Sequence, residues 1–141
     1  MRVFVDTWGW LSLRDQREDA HETVQALYRK YRSEGSQILT TDYVLDETFT
    51  LLFKRLNTSA ALEAMMSLND AVEQGYLQME RITPDRFRTA LAWRRRYQDK
   101  PQISFTDLTS MVVMDELRIA EIMTNDQHFA QVGLGLRPVP A

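Results

Sequence analysis

Carboxylates carry most of the chemistry this sequence offers. Asp6, one of Asp46 or Glu47, Asp107 and Asp126 are spread along the chain, each beside an expected end of a strand or start of a helix. Singly, an aspartate in such a place is most often a helix cap or a turn residue. As a set they carry a cost, since two unit charges about 4 Å apart repel by about 4 kcal/mol at an effective dielectric of about 20. Shared protons, arginine partners or divalent cations relieve that cost, and no arginine follows any of these acids closely in sequence. The chain has no cysteine, and its only histidines are His21 and His128. An all-oxygen ligand set suits a hard ion such as Mg²⁺ or Mn²⁺. A pair of such ions activates water and steadies the leaving oxygen of a phosphodiester.

The elements that must position these acids centre on the stretch from Ile103 to Phe129. Ser104 or Thr106 is placed to cap a helix there, with Asp107 in the first turn, where the helix dipole favours an ionised acid. Leu108, Met111, Val112, Val113, Met114 and Leu117 point all around that helix, the pattern of a buried one. Ile119 to Met123 reads as an inner parallel strand covered on both faces, leaving through Thr124, Asn125 and Asp126.

Upstream, residues 2–6 form a strand ending on Asp6, with Thr7, Trp8 and Gly9 as a turn and a short helical piece from Trp10. Helical spacing runs from about Glu18 to Arg32 and stops at Gly35. Gln37 to Thr40 is a second strand. Thr41 or Asp42 caps a helix reaching about Leu56, with Val44, Leu45, Phe49, Leu52, Phe53 and Leu56 on its apolar side. Residues 57–59 cap another helix that ends at Gly75. Tyr76 to Ile82 reads as a third strand. Thr83-Pro84 starts a helix lined by Phe87, Ala90, Leu91 and Tyr97, proline occupying a position that needs no N–H. Leu136 to Val139 is an edge strand, the only kind that tolerates Pro138.

Strands alternating with helices imply a three-layer α/β/α sandwich around a mostly parallel sheet. Ligands of such sheets bind beyond the carboxyl ends of the strands, at the switch in strand order. The expected organisation is one domain over residues 1–141, and an apolar fraction of 44% supplies a real core. No long apolar run follows the N-terminus, so no signal peptide or membrane span is expected, and the default location is the cytoplasm. The net charge of −3 argues against a nonspecific nucleic-acid coat protein. An enzyme acting on nucleic acid remains compatible, because acids gathered around cations count as negative only in the bare sequence.

The motifs VDT, DYVLDETFTLL, SFTDLTSMVVM and TNDQHF, in that order, resemble the PIN domain, and more narrowly the VapC-type ribonuclease toxins. The resemblance spans nearly the whole chain. It implies a PIN-like fold and a Mg²⁺ or Mn²⁺ site for RNA hydrolysis built from Asp6, Glu47, Asp107 and Asp126, with Thr124 as the supporting hydroxyl near the last acid. Helical periodicity does not choose between Asp46 and Glu47; the family pattern selects Glu47. The resemblance further implies an RNA substrate, a homodimer, and a small antitoxin whose C-terminal segment covers the acids. The alternatives are a PIN-like fold kept as a catalytically weak RNA- or protein-binding module, which the intact set of four acids counts against, and a housekeeping PIN nuclease.

The remaining polar features have plainer readings. Arg94-Arg95-Arg96, beside Trp93 and Tyr97, reads as a solvated helix face before it reads as an RNA contact. His128 reads as a satisfied structural histidine, and Asp115 as a surface partner of Arg118. The seven methionines are core filler.

Overall fold

The computed structural model describes all of residues 1–141. In chain order the elements are β1 (Arg2–Val5), α1 (Thr7–Arg14), α2 (His21–Ser33), β2 (Gln37–Thr41), α3 (Asp42–Arg55) and α4 (Thr58–Glu73). There follow β3 (Gln78–Glu80), α5 (Pro84–Arg96), α6 (Phe105–Leu117), β4 (Glu121–Met123), α7 (His128–Gln131) and β5 (Arg137–Val139).

The five strands form one sheet in the order β3-β2-β1-β4-β5, and every pairing is parallel. The seven helices flank it. β1 is central, and Val3, Phe4 and Val5 are wholly buried. Three consecutive buried residues face alternately up and down, so both faces of the sheet are covered, as a parallel sheet requires. The chain moves outward from β1 through β2 to β3, then returns to β4 on its other side. The switch in strand order therefore lies between β1 and β4, whose register pairs Val5 with Met123. The next residues along these strands are Asp6 and Thr124.

The helix starts follow the expected capping chemistry. Thr41, Asn57, Thr83 and Ser104 each accept a bond from a backbone N–H three residues on, which satisfies a donor that the first helical turn leaves free. α6 is buried from Leu108 through Met114 on all sides, as its apolar wheel implied. It ends at Arg118, whose left-handed backbone (φ 57°) turns the chain toward β4.

Several expectations move. α1 begins at Thr7 and not at Trp10, because Asp6 caps it directly and leaves no intervening turn. α2 begins at His21 and not at Glu18. The residues ahead of it are held as a loop by Arg17, which binds the Asp15 carboxylate and the Arg55 carbonyl. β3 and β4 shorten to three residues each. Phe53, Phe87 and Leu91, placed on apolar faces by periodicity, are exposed. Of the residues assigned to line α5, only Ala90 and Tyr97 are buried. Asp115 and Arg118 form no ion pair; Arg118 instead gives its backbone N–H to the Asp115 carbonyl. The four-residue α7 is too short for periodicity to reveal. No helix is long and apolar enough to cross a membrane.

Candidate active site

Two of the acids follow adjacent central strands, one sits in the first turn of α6, and one lies in the second turn of α3. Asp6 leaves β1 with extended backbone and caps α1, its Oδ1 accepting from the Gly9 N–H at 3.1 Å. The cap fixes the carboxylate at the carboxyl end of the sheet, and its backbone N–H reaches across to the Met123 carbonyl of β4. Asp107 stands in the first turn of α6, where Ser104 Oγ accepts its N–H at 3.0 Å. Asp126 lies two residues beyond Thr124, whose buried hydroxyl accepts the Asp126 N–H at 3.1 Å. On α3, Glu47 is half-buried while Asp46 is exposed.

Electrostatics link the four. Burial pushes the Asp6 carboxyl up from the ordinary 3.8 to about 7; the Thr124 hydroxyl and the Gly9 amide pull it down, and the Asp107 and Asp126 charges raise it further. Burial likewise raises Asp107 to about 6, with the charge on Asp126 next, Ser104 opposing, and Glu47 adding to the rise. Asp107 thus senses an acid from β4's exit loop and another from α3, while Asp6 senses Asp107 and Asp126. Glu47, and not Asp46, is the α3 acid whose charge raises Asp107.

The set is nevertheless open. No three His, Cys, Asp or Glu side chains stand in a group that could hold a metal ion as they are. Nor do the acids sit in a deep pocket, for none of the five main clefts is lined by any of the four. By donor type and charge the residues fit a hard divalent cation: all are oxygen ligands, two are destabilised as anions by burial and by like charges, and no arginine or lysine pairs with any of them.

Residues around the acids hold their supporting loops. His128 Nδ1 lies 2.7 Å from Asp126 Oδ1, off the line of a hydrogen bond, so that nitrogen has no aligned partner. Its backbone N–H does bind the same oxygen at 2.9 Å. On the ring's other side, Nε2 meets Gln102 Nε2 at 3.1 Å, which ties the loop before α6 to the loop after β4. Arg94 is not part of a solvated face. Its guanidinium binds the carbonyls of Ile103, Tyr97 and Lys100 at 2.5, 2.8 and 2.8 Å, clamping the segment that leads into Ser104. Arg96 lies over the Trp93 and Tyr97 rings, at 5.8 and 5.9 Å from their centroids.

Gln102, Arg94 and Gly9 carry this support, and sequence reasoning did not single out any of them for it. Arg94 sits in a run of three arginines that looks uniformly exposed. Gln102 becomes relevant only because the fold brings residue 128 beside it.

The PIN domain family model matches residues 3–134. The 23S rRNA-specific endonuclease VapC20 of Mycobacterium tuberculosis is 31% identical over 131 residues, covering 93% of this chain and 94% of that protein. A VapC ribonuclease of Archaeoglobus fulgidus is 29% identical over 140 residues, covering 96% of this chain and 83% of that one. The crystal structure of M. tuberculosis VapC20, described as a sarcin–ricin loop cleaving toxin, superposes with a TM-score of 0.78 at 30% identity, over 93% of this chain and 95% of that one. VapBC2 of Rickettsia felis, solved bound to a DNA fragment from its promoter, shares the fold with a TM-score of 0.71 at 13% identity, over 98% of each chain.

Proposed function

This chain belongs to the PIN-domain family, and we propose that it is a divalent-metal-dependent endoribonuclease, the toxin of a VapBC-type toxin–antitoxin pair. The observation that carries the reading is the electrostatic coupling of Asp6, Asp107, Asp126 and Glu47 at the switch between β1 and β4. The naming of relatives of nearly full length as an rRNA endonuclease and a ribonuclease supports the same reaction.

In this reading Asp6, Glu47, Asp107 and Asp126 hold Mg²⁺ or Mn²⁺. The bound cation would offset charge developing on the scissile phosphodiester. The chain's own residues have distinct tasks. The α1 cap keeps Asp6 aimed past the strand ends, and Ser104 fixes the turn that presents Asp107. Thr124 holds the Asp126 backbone and favours the ionised form of Asp6. Glu47 adds its charge from α3, so two helices and two strand exits contribute to the site. We also propose the partners that go with this role: a small antitoxin covering the acids, and a second copy of the chain in a homodimer, acting in the cytoplasm.

The test is cleavage of purified 23S rRNA, chosen because it is the substrate named for VapC20, with Mg²⁺, Mn²⁺ or EDTA present. Metal-dependent cleavage that is lost in folded Asp6→Asn is the expected result. Expression of the wild-type chain alone should also arrest a bacterial host, and Asp6→Asn should relieve the arrest. A folded wild type that cleaves no RNA in either metal would overturn the reading.

A further inference from the structure

Between α1 and α2 lies a cleft of about 670 Å³ that none of the four acids lines. Trp10 and Tyr28 contribute to its wall, their rings meeting edge-on at 6.0 Å. Arg14, Arg29 and Arg32 surround it, and no carboxylate is among its lining residues. In a chain of net charge −3, three guanidiniums around one cleft with no facing acid are a local reversal of sign. The neighbouring cleft of about 480 Å³ makes the contrast, because there Asp15 and Glu63 stand among the basic residues.

Two of the three arginines are pre-positioned. Arg14 gives a hydrogen bond to Ser67 Oγ at 3.1 Å. Arg32 binds the Tyr76 carbonyl at 2.8 Å, and its guanidinium lies 5.1 Å from the centre of the Tyr76 ring. Neither contact neutralises a charge. Arg29 is exposed and joins none of the chain's ion pairs. The charges of Arg32 and Arg14 also reach the Tyr28 hydroxyl, where they oppose the rise that burial imposes on its pKa. Aromatic surface flanked by unneutralised guanidiniums suits a ligand made of flat rings and phosphates, through stacking and charge-assisted hydrogen bonds.

The cleft and the acids share a helix. α1 starts at the Asp6 cap and ends at Arg14, eight residues or ~12 Å along its axis. A strand of nucleic acid engaged at one end of α1 therefore has its flanking phosphates within reach of the other.

We propose that the α1–α2 cleft is a second RNA-binding site, in which Arg14, Arg29 and Arg32 hold phosphates of the strand beside the cleavage point and the partly exposed Tyr28, backed by buried Trp10, offers stacking surface. The proposal takes the identity of the ligand from the nuclease reading, but its test does not depend on cleavage. A fluorescently labelled 12-nucleotide single-stranded RNA is titrated in EDTA against wild type, Arg29→Ala, the double variant Arg29→Ala/Arg32→Ala, and Arg88→Ala as a control for net charge. Removing one arginine–phosphate pair lowers the salt slope of binding to single strands by about 0.7.

Arg29→Ala should reduce the slope by about 0.7 and bind several-fold more weakly. The double variant should reduce it by up to ~1.4 and bind about tenfold more weakly. Arg88→Ala should match wild type. Because Arg32 also contacts Tyr76, melting curves establish that the double variant is folded, and Arg29→Ala alone keeps the test valid if it is not.

Unchanged affinity and slope in folded Arg29→Ala overturn the proposal, as does an equal weakening in Arg88→Ala. A labelled peptide of twelve alternating Glu and Gly residues forms the third arm. If the arginine variants weaken its binding but not that of RNA, the cleft is a protein-docking site and the proposal fails. RNA that binds through these arginines but is never cleaved with metal would refute the nuclease reading and leave the cleft assignment standing.

Discussion

Gly9 approaches Met123 so closely that no side chain fits between them. A Cβ built at position 9 would lie 3.0 Å from the Met123 carbonyl oxygen and 2.7 Å from Val5 Cγ1. The first turn of α1 is thereby pressed against β4, which brings the Asp6 cap beside the exit that carries Thr124 and Asp126.

Gly9→Ala should destabilise the chain despite alanine's better helix propensity, worth about 1 kcal/mol. Both clashing neighbours are constrained, one being backbone and the other a wholly buried valine. Overpacking of this kind typically costs about 1–3 kcal/mol, so the two terms compete and the clash should win. A lower melting temperature checks it; a melting temperature at or above wild type means that the turn relaxes freely.

Glu47→Gln should reduce RNA cleavage about a hundredfold or more, while Asp46→Asn should change it little. Partners that merely orient metal ligands cost about 10–100-fold when removed, and a ligand should cost at least as much. Initial rates on the same RNA with Mg²⁺ give the comparison. A reversed order of the two variants would turn α3 by one residue relative to the site.

Apo stability should fall as pH rises from about 4 to about 7. Asp6 titrates near 7 and Asp107 near 6 in the folded chain, both raised from 3.8. Across that window the folded state binds more protons than the unfolded one, so unfolding releases them and is favoured by rising pH. Asp6→Asn removes the larger of these shifts and keeps the cap, since asparagine caps as well as aspartate. In EDTA it should melt above wild type at about pH 8, and the difference should close as pH falls to about 4. Parallel melting curves for the two chains across that range would show that Asp6 is not destabilised as an anion.

Mg²⁺ or Mn²⁺ should stabilise wild type and raise its melting temperature with metal concentration, the stabilisation reaching about 2.7 kcal/mol at a hundred times the dissociation constant. Asp6→Asn and Asp107→Asn should gain less, and EDTA should reverse the gain. Calorimetric scans against metal concentration read this without reference to activity. Equal gains in wild type and both variants would remove these acids from the metal site.

The order of the strands and of the longer helices, the helix start at Thr83, the buried α6 and the edge position of Pro138 were legible in the sequence, and the caps Thr41 and Ser104 were each one of two candidates. Each depends on neighbours within about one turn or on a pattern of period 2 or 3.6, so local physics suffices. Asp6, Asp107 and Asp126 were legible as candidates for the same reason, since each sits at the end of an element. Their order and motifs also carried the family resemblance.

Only the tertiary structure decided what those local signals leave free. Phe53, Phe87 and Leu91 have apolar spacing yet are exposed, because periodicity identifies a face without showing whether another element covers it. Asp46 and Glu47 are neighbours on one helix, yet in the folded chain Glu47 is half-buried and its charge raises the Asp107 carboxyl, while Asp46 is exposed. Arg94 reads as one of three surface charges until the loop from Tyr97 to Ile103 folds back over it. Gly9 looks like a turn residue until β4, more than a hundred positions later, packs against it. Burial, like-charge repulsion and close approach depend on pairs distant in sequence. The chain determines them only through the fold as a whole.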